Sequence, residues 1–177
     1  EDAERTGVFL EKMADFFRYN VKKGQEDATL GEELEAVDNY IYILNVRFAG
    51  DIHFSKDVDE SLENVRVPSM ILQPIVENAV NHGIRDIEWE GKIHLTVTGD
   101  ADYIRISVKD NGKGMTPEQI EGVLSGNKEY RKEEGDSTGI GMNNVISRLE
   151  LYYEEKGLVE IRSDGLDKGT EVIDCEG

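Results

Sequence analysis

The sequence predicts an α/β fold: a two-layer sandwich in which a mixed, mostly antiparallel sheet carries helices on one face, preceded by two further helices. Three observations lead there. Ile93, Leu95 and Val97 alternate with His94, Thr96 and Thr98, and Ile104, Ile106 and Val108 alternate with Arg105, Ser107 and Lys109. Two such runs joined by Gly99-Asp100-Ala101-Asp102 make an antiparallel pair with one buried face. Helical periodicity lies on both sides of this pair, over Val67–Arg85 and Gly141–Tyr153. Before Asp51 the period is helical only.

In chain order, residues 3–23 read as a helix, with Phe9, Leu10, Met13, Phe16, Phe17 and Val21 recurring at three and four residues and Gly24 as its stop. Thr29 starts a second helix, with Glu32 completing a capping box. Its apolar residues, Leu30, Leu34, Val37, Ile41, Leu44 and Phe48, form a heptad seam that Ala49-Gly50 ends. A seam of this kind packs on a helix; it serves either dimerisation and docking, the favoured reading, or a helical hairpin laid on its own domain. Ile52 and Phe54 mark a short strand. Pro68 and Ser69 suit the start of the next helix and Gly83 its end. Residues 110–138 lose periodicity apart from a helical patch near Pro117–Leu124, as expected of a lid, a binding loop or a disordered stretch. The last helix turns Met142, Val145, Ile146, Leu149 and Tyr152 inward, and Leu158–Ser163 and Thr170–Asp174 close the sheet.

Composition narrows the function. Lys and Arg number 20 against 38 Asp and Glu, a formal net charge of −18. Such a surface repels nucleic-acid phosphates and anionic lipid, so no nucleic-acid partner is expected, and an anionic ligand needs local help from a metal ion, helix N-termini or a few placed cations. The single Cys175 excludes an internal disulfide and fits a reducing compartment. The longest stretch free of Asp, Glu, Lys and Arg, Ser137 to Ser147, is about half of the roughly 20 residues that a membrane span needs, so this fragment has no membrane segment. The chain opens without Met in Glu-Asp-Ala-Glu-Arg and reads as a piece of a longer, cytoplasmic region.

Three motifs carry the chemistry. The Val67–Arg85 helix is apolar along Ile71, Leu72, Ile75, Val76 and Ala79, yet Asn78, Asn81 and His82 share another face at i, i+3 and i+4. Amides and an imidazole there mean either a core helix with capping amides or one that faces a nucleotide and a metal. Asp110 ends a strand and runs into Gly112-Lys113-Gly114; a buried Asp can accept from an exocyclic amine, and a glycine turn with a solvated Asp is the plainer alternative. Thr138-Gly139-Ile140-Gly141 opens the last helix, whose unpaired N–H groups and positive end suit a phosphate better than ordinary capping requires. There is no Walker A loop, no Rossmann fingerprint, no Cys/His zinc pattern and no Ser-His-Asp spacing.

Taken together, Glu77-Asn78-Ala79, Asp110-x-Gly-x-Gly and Gly139-x-Gly141 resemble the N, G1 and G2 boxes of the GHKL, or Bergerat, ATP-binding fold of histidine kinases, Hsp90, gyrase B and MutL. The resemblance is closer to the LytS/YesM-like sensor histidine kinases. Pro68 through Gly83 match Pro-x-x-x-Leu-Gln-Pro-x-Val-Glu-Asn-Ala-x-x-His-Gly. Leu30, Glu33, Leu34, Tyr40, Arg47 and Phe48 match a second pattern, Phe17-Arg18-Tyr19 resembles the end of the phosphoacceptor region, and Gly139, Gly141, Asn144, Arg148 and Leu149 match a third pattern. What the resemblance implies is a division into a helical segment at 1–50, the end of a dimerisation and phosphoacceptor region, and a catalytic domain at 51–177. It implies ATP and Mg²⁺ as cofactors, with Asn78 on Mg²⁺, Asn81 and His82 near the phosphates, Asp110 on the adenine amine with Gly112 and Gly114 making room, Gly139 and Gly141 at the phosphates, and Thr170 near the adenine. Lys113, Lys128, Arg131 and Lys132 are candidate lid cations or solvated charges.

The implied activity is transfer of the γ-phosphoryl of Mg-ATP to a histidine and then to a response regulator, by a homodimer whose parent sits in the inner or plasma membrane. Two departures qualify it. The phosphoacceptor motif Pro-His-Phe-Leu-Phe-Asn is absent, so the fragment is not expected to phosphorylate itself. The Glu that related ATPases place four residues before the metal-binding Asn is Pro74 here, which disfavours hydrolysis. The rivals are a GHKL ATPase, an anti-sigma-type serine kinase and a nucleotide-free docking module.

Overall fold

The structure, a computed structural model, describes residues 2–21, 27–48, 52–99, 103–126 and 138–176. Five strands form a sheet in the order β2-β4-β5-β7-β6, where β2 is Ile52–Val58, β4 Gly91–Gly99, β5 Ile104–Asp110, β6 Val159–Arg162 and β7 Glu171–Glu176. The β2–β4 pair is parallel and the other three pairs are antiparallel, as the expected mixed sheet requires. Alternation in β4 and β5 buries Ile93, Leu95, Val97, Ile104, Ile106 and Val108 on one face. The other face stays polar, with Ser55 and His94 paired across β2 and β4 at 2.7 Å.

The buried face is covered by helices α2 (Leu30–Arg47), α3 (Leu72–Asn78) and α5 (Thr138–Tyr153), whose apolar residues join the strands in one core. Helix α4 (Pro117–Ser125), opened by a Thr116–Gln119 capping box, packs against α5. Helix α1 (Asp2–Val21) lies on α2 and buries no residue fully.

The heptad seam of α2 is spent inside this molecule. Leu30, Leu34, Val37 and Ile41 are buried against the domain core, each worth about 1.5–3 kcal/mol as removed apolar surface. The hairpin-on-its-own-domain reading therefore holds for these residues, and the docking reading of the seam does not. Phe48, expected to end the seam, is exposed at the C-cap, where the Arg47 guanidinium lies over its ring. The Thr29–Glu32 capping box forms as expected, and the Leu30 and Gly31 amides donate to the carbonyls of Val65 and Glu63. Two short strands escaped the sequence reading, β1 (Asp27–Thr29) and β3 (Arg66–Pro68), which pair antiparallel. Three residues are too few to show a period.

That pairing corrects the helix start expected at Pro68 and Ser69. Pro68 ends β3, the chain turns through Met70 at φ 61°, and α3 begins at Leu72. Pro74 falls in the first helical turn, where its missing N–H costs little. In α5 the inward aromatic residue is Tyr153 rather than Tyr152, which is exposed. The expected stop at Gly24, the end at Ala49-Gly50, the connection 100–102 and the stretch 127–137, with Lys128, Arg131 and Lys132, lie outside the described residues.

Candidate nucleotide site

After Asn78 the helix does not end but widens. Ala79–Ile84 form a π turn, closed by the Arg85 amide donating to Val80 O at 3.0 Å. Extra residues of this kind are inserted where a helix must re-aim side chains. The turn sets Asn81 and His82 at a different angle from the one that strict i, i+3 and i+4 spacing gives them. Asn78 is half-buried, and among the described residues its amide has no protein partner. Asn81 is exposed; His82 is half-buried and already engaged.

The π turn packs against the end of β5. There Gly83 faces the Asp110 carboxyl so closely that a Cβ would stand 2.6 Å from its Cγ. The helix ends one residue past Gly83, close to where the sequence placed its end, and Gly83 is also the point where a backbone must approach a carboxylate. Gly112 answers from the other chain segment: a Cβ there would overlap the Gly83 carbonyl, which accepts the Lys113 N–H at 2.9 Å. The strands supply the rest of the corner. The Asp110 amide donates to Thr170 O at 2.9 Å, and Gly169, at φ 75°, donates to Gly112 O at 3.0 Å. Gly114 follows at φ 69°.

Asp110 is buried, and burial pushes its pKa up to about 6 despite the amides that lower it. Both of its backbone bonds, from Gly112 N at 2.9 Å and Thr170 N at 3.3 Å, fall on Oδ1. Among the described residues Oδ2 accepts no hydrogen bond and stays open to a donor. The carboxylate is fixed in place by its own turn, as a specific hydrogen-bond acceptor for an amine must be.

Sequence reasoning missed two supporting residues. Asn111 accepts from Lys92 N at 2.7 Å and donates to Glu90 O at 2.8 Å, tying the corner to the start of β4, while the Trp89 indole donates to Asn111 O at 2.7 Å. Ser163 takes the Met115 amide at 3.0 Å and donates to Gly169 O at 2.6 Å, which holds the 163–169 turn against the glycine loop. Asn111 at least stood inside a noted motif; Ser163 carried no signal.

Helix α5 packs against α3. Its first turn holds Gly139, and at Gly141 a Cβ would meet open space, so the need for glycine there is not steric within the protein. Arg148, one of the residues matched above, donates to Ser69 O at 2.6 Å and fastens α5 to the turn before α3. Of the residues singled out in the sequence, the structure brings Asp110, Gly112 and Thr170 into direct hydrogen bonds. Asn78 ends α3 immediately before the π turn that packs on β5, and α5 packs on α3. Lys113 is exposed beside it.

Comparison with known proteins bears on the whole chain. The family model for histidine kinase-, DNA gyrase B- and HSP90-like ATPases matches residues 65–173, and a histidine kinase model matches residues 1–52. The sensor histidine kinase YpdA of Escherichia coli is 35% identical over 176 residues, 97% of this chain and 28% of that protein. The sensor protein LytS of Oceanobacillus iheyensis is 31% identical, over 97% of this chain and 29% of its own length. The chain thus spans under a third of these relatives. Among solved structures, the catalytic domain of histidine kinase ThkA superposes with a TM-score of 0.60 at 21% identity, covering 85% of this chain and 93% of that one. The mycobacterial sensor histidine kinase MprB gives 0.61 at 16% identity, covering 85% and 95%.

Proposed function

We propose, because this chain belongs to the histidine kinase-, DNA gyrase B- and HSP90-like ATPase family, that it is the ATP-binding catalytic part of a two-component sensor histidine kinase. The observation that carries the reading is the Asp110 corner: a buried carboxylate with one oxygen fixed by backbone and the other left to a ligand. An acceptor so placed takes the exocyclic amine of adenine and leaves the oxo group of guanine facing a lone pair. Gly139 and Gly141 offer the phosphates the N–H groups of the first turn of α5. Asn78 fits a magnesium ion, since an amide oxygen is a hard donor and this one is not committed elsewhere among the described residues. When bound, the ion would neutralise phosphate charge.

The parent protein would transfer the γ-phosphoryl to a histidine in the absent Pro-His-Phe-Leu-Phe-Asn motif and then to a response regulator. Residues 1–50 would be the end of its dimerisation and phosphoacceptor region, residues 51–177 its catalytic domain, and a membrane its location. The chain's own part is positioning: it holds the purine and aims the triphosphate. Pro74, where related ATPases carry Glu, leaves no base to activate water at that position.

Calorimetric titration of the chain with Mg-ATP and Mg-GTP tests this reading. Saturable heat is expected with the first and none with the second; no heat with either would overturn the nucleotide reading. Incubation with labelled ATP is expected to leave His53, His82 and His94 unlabelled and to release phosphate slowly, whereas rapid steady-state release would favour an ATPase.

A further inference from the structure

The nucleotide reading makes no use of the polar contacts between α2 and α3. Glu33 lies on α2, 0% exposed, among mostly apolar neighbours with Asn39 and Gln73 as the other buried polar side chains of α2 and α3. Its Oε1 accepts the Ile71 N–H at 3.3 Å, and the Met70 and Leu72 amides also act on the carboxyl. These are the N–H groups at the start of α3, which brings no side-chain cap of its own. The Tyr19 hydroxyl of α1 stands beside the same carboxyl. One turn earlier on α1, Phe16 stacks on Tyr40 of α2 with ring centroids 6.1 Å apart. Tyr40 in turn feels the charge of Glu77, the residue before Asn78, which Gln73 Nε2 holds at 2.8 Å.

The groups set against the Glu33 carboxyl are backbone amides and a phenol; Oε1 takes the Ile71 amide, while Oε2 and the Tyr19 hydroxyl lie side by side without a hydrogen bond of their own among the described residues. A carboxyl group meets that set with an acceptor oxygen, whereas an amide would set its NH₂ against donors. Asn78 lies six residues beyond Leu72, about 9 Å along the axis at the usual helical rise. A seven-residue helix packed on both sides moves as one body, so a shift at its capped end reaches Asn78. We propose that Glu33 is a positioning residue that sets the metal-holding end of α3, and that Tyr19 makes this setting depend on α1. The proposal rests on the reading of Asn78 as a ligand of the nucleotide's cation.

A merely structural cap would lower stability and weaken all nucleotide binding alike. The test therefore compares binding of Mg-ATP with binding of ATP in EDTA, by calorimetry on the full chain, with thermal melts to check folding. Glu33→Gln is expected to weaken Mg-ATP about tenfold and metal-free ATP far less. Tyr19→Phe is expected to give the same pattern at about threefold, and the double variant to be no worse than Glu33→Gln alone, since the two residues act as one unit. Equal losses with and without metal, unchanged affinity, or additive effects would overturn the proposal. Should Glu33→Gln fail to fold, Tyr19→Phe alone decides by the same split. A wild-type chain that binds no Mg-ATP defeats the nucleotide reading and this proposal with it; a wild-type chain that binds, with unaffected variants, defeats only the proposal.

Discussion

Asp110 and Glu33 are both buried carboxyls whose pKa values burial pushes up, to about 6 and about 7 respectively. They are held in opposite ways. Asp110 is fixed by its own surroundings at the sheet's end, Gly112 two residues on and Thr170 just before the neighbouring strand, inside a corner that three glycines allow to close. Glu33 is held by another helix, through an amide at the start of α3, and a tyrosine of α1 stands beside it. The first is a rigid feature written into backbone; the second is a joint between elements. A corner built from backbone suits recognition, which needs a fixed acceptor. A joint built from side chains suits transmission, because it moves when any of its three helices moves.

The strongest way to break the comparison is to give the corner a side chain. Gly112→Ala drives a methyl into the Gly83 carbonyl, with backbone on both sides and no flexible tip to yield. Urea unfolding is expected to show a loss of more than about 4 kcal/mol, in the range kept for overpacked or strained sites. Gly141→Ala is the contrast: its methyl meets open space in a helix, so stability is expected to hold or rise by up to about 1 kcal/mol. A corner that tolerated the alanine at 112 would not be the closed, rigid feature described.

Next in size is Asp110→Asn. The amide oxygen can keep the bonds from Gly112 and Thr170, while its NH₂ replaces Oδ2 and presents a donor to a donor. Affinity for ATP is expected to fall by about 100-fold, roughly 2.7 kcal/mol, with the thermal melt little changed. Undiminished ATP binding by titration would remove Asp110 from the site. In the wild type the same acceptor is lost as pH falls below about 6, so ATP affinity is expected to be weaker at pH 5 than at pH 7.5.

What could be read in the sequence divides along the same line. The β4–β5 pair was legible because alternation over six residues is a strong local signal, and the Asp110 loop because glycines at fixed spacing mark backbone that must approach something. The α2 capping box was legible for the same local reason. The pairing of β1 with β3 was not, since contact between Asp27 and Pro68 leaves no trace in either short segment. Nor was the π turn: one widened turn preserves the apolar spacing up to Ala79 and shows only in where Gly83 lands. The α2 seam was visible as a seam, but its partner was not, because a heptad says that a helix will pack and not on what. Glu33 sat in a matched pattern with no physical reason attached; its reason is the unpaired amides of a helix 38 residues away.

The smallest expected effect sharpens the joint. A carboxyl whose folded pKa is raised adds stability that is complete below its unfolded value, near 4.5, and is lost as pH rises through its folded value. For Glu33 that window runs from about 4.5 to about 7. Asp110, raised only to about 6, has completed most of its own loss by pH 6. Between pH 6 and pH 8 the loss should therefore come mainly from Glu33 and amount to on the order of 1 kcal/mol. Urea unfolding of the wild type at the two pH values is expected to show that fall, and Glu33→Gln, which cannot titrate, to flatten it whatever its absolute stability. Asp110→Asn should instead alter the slope chiefly below pH 6. If Glu33→Gln kept the full slope above pH 6, the Glu33 carboxyl would not be the group that ionises there, and the donors around it would be holding a carboxylate no harder to charge than one in water.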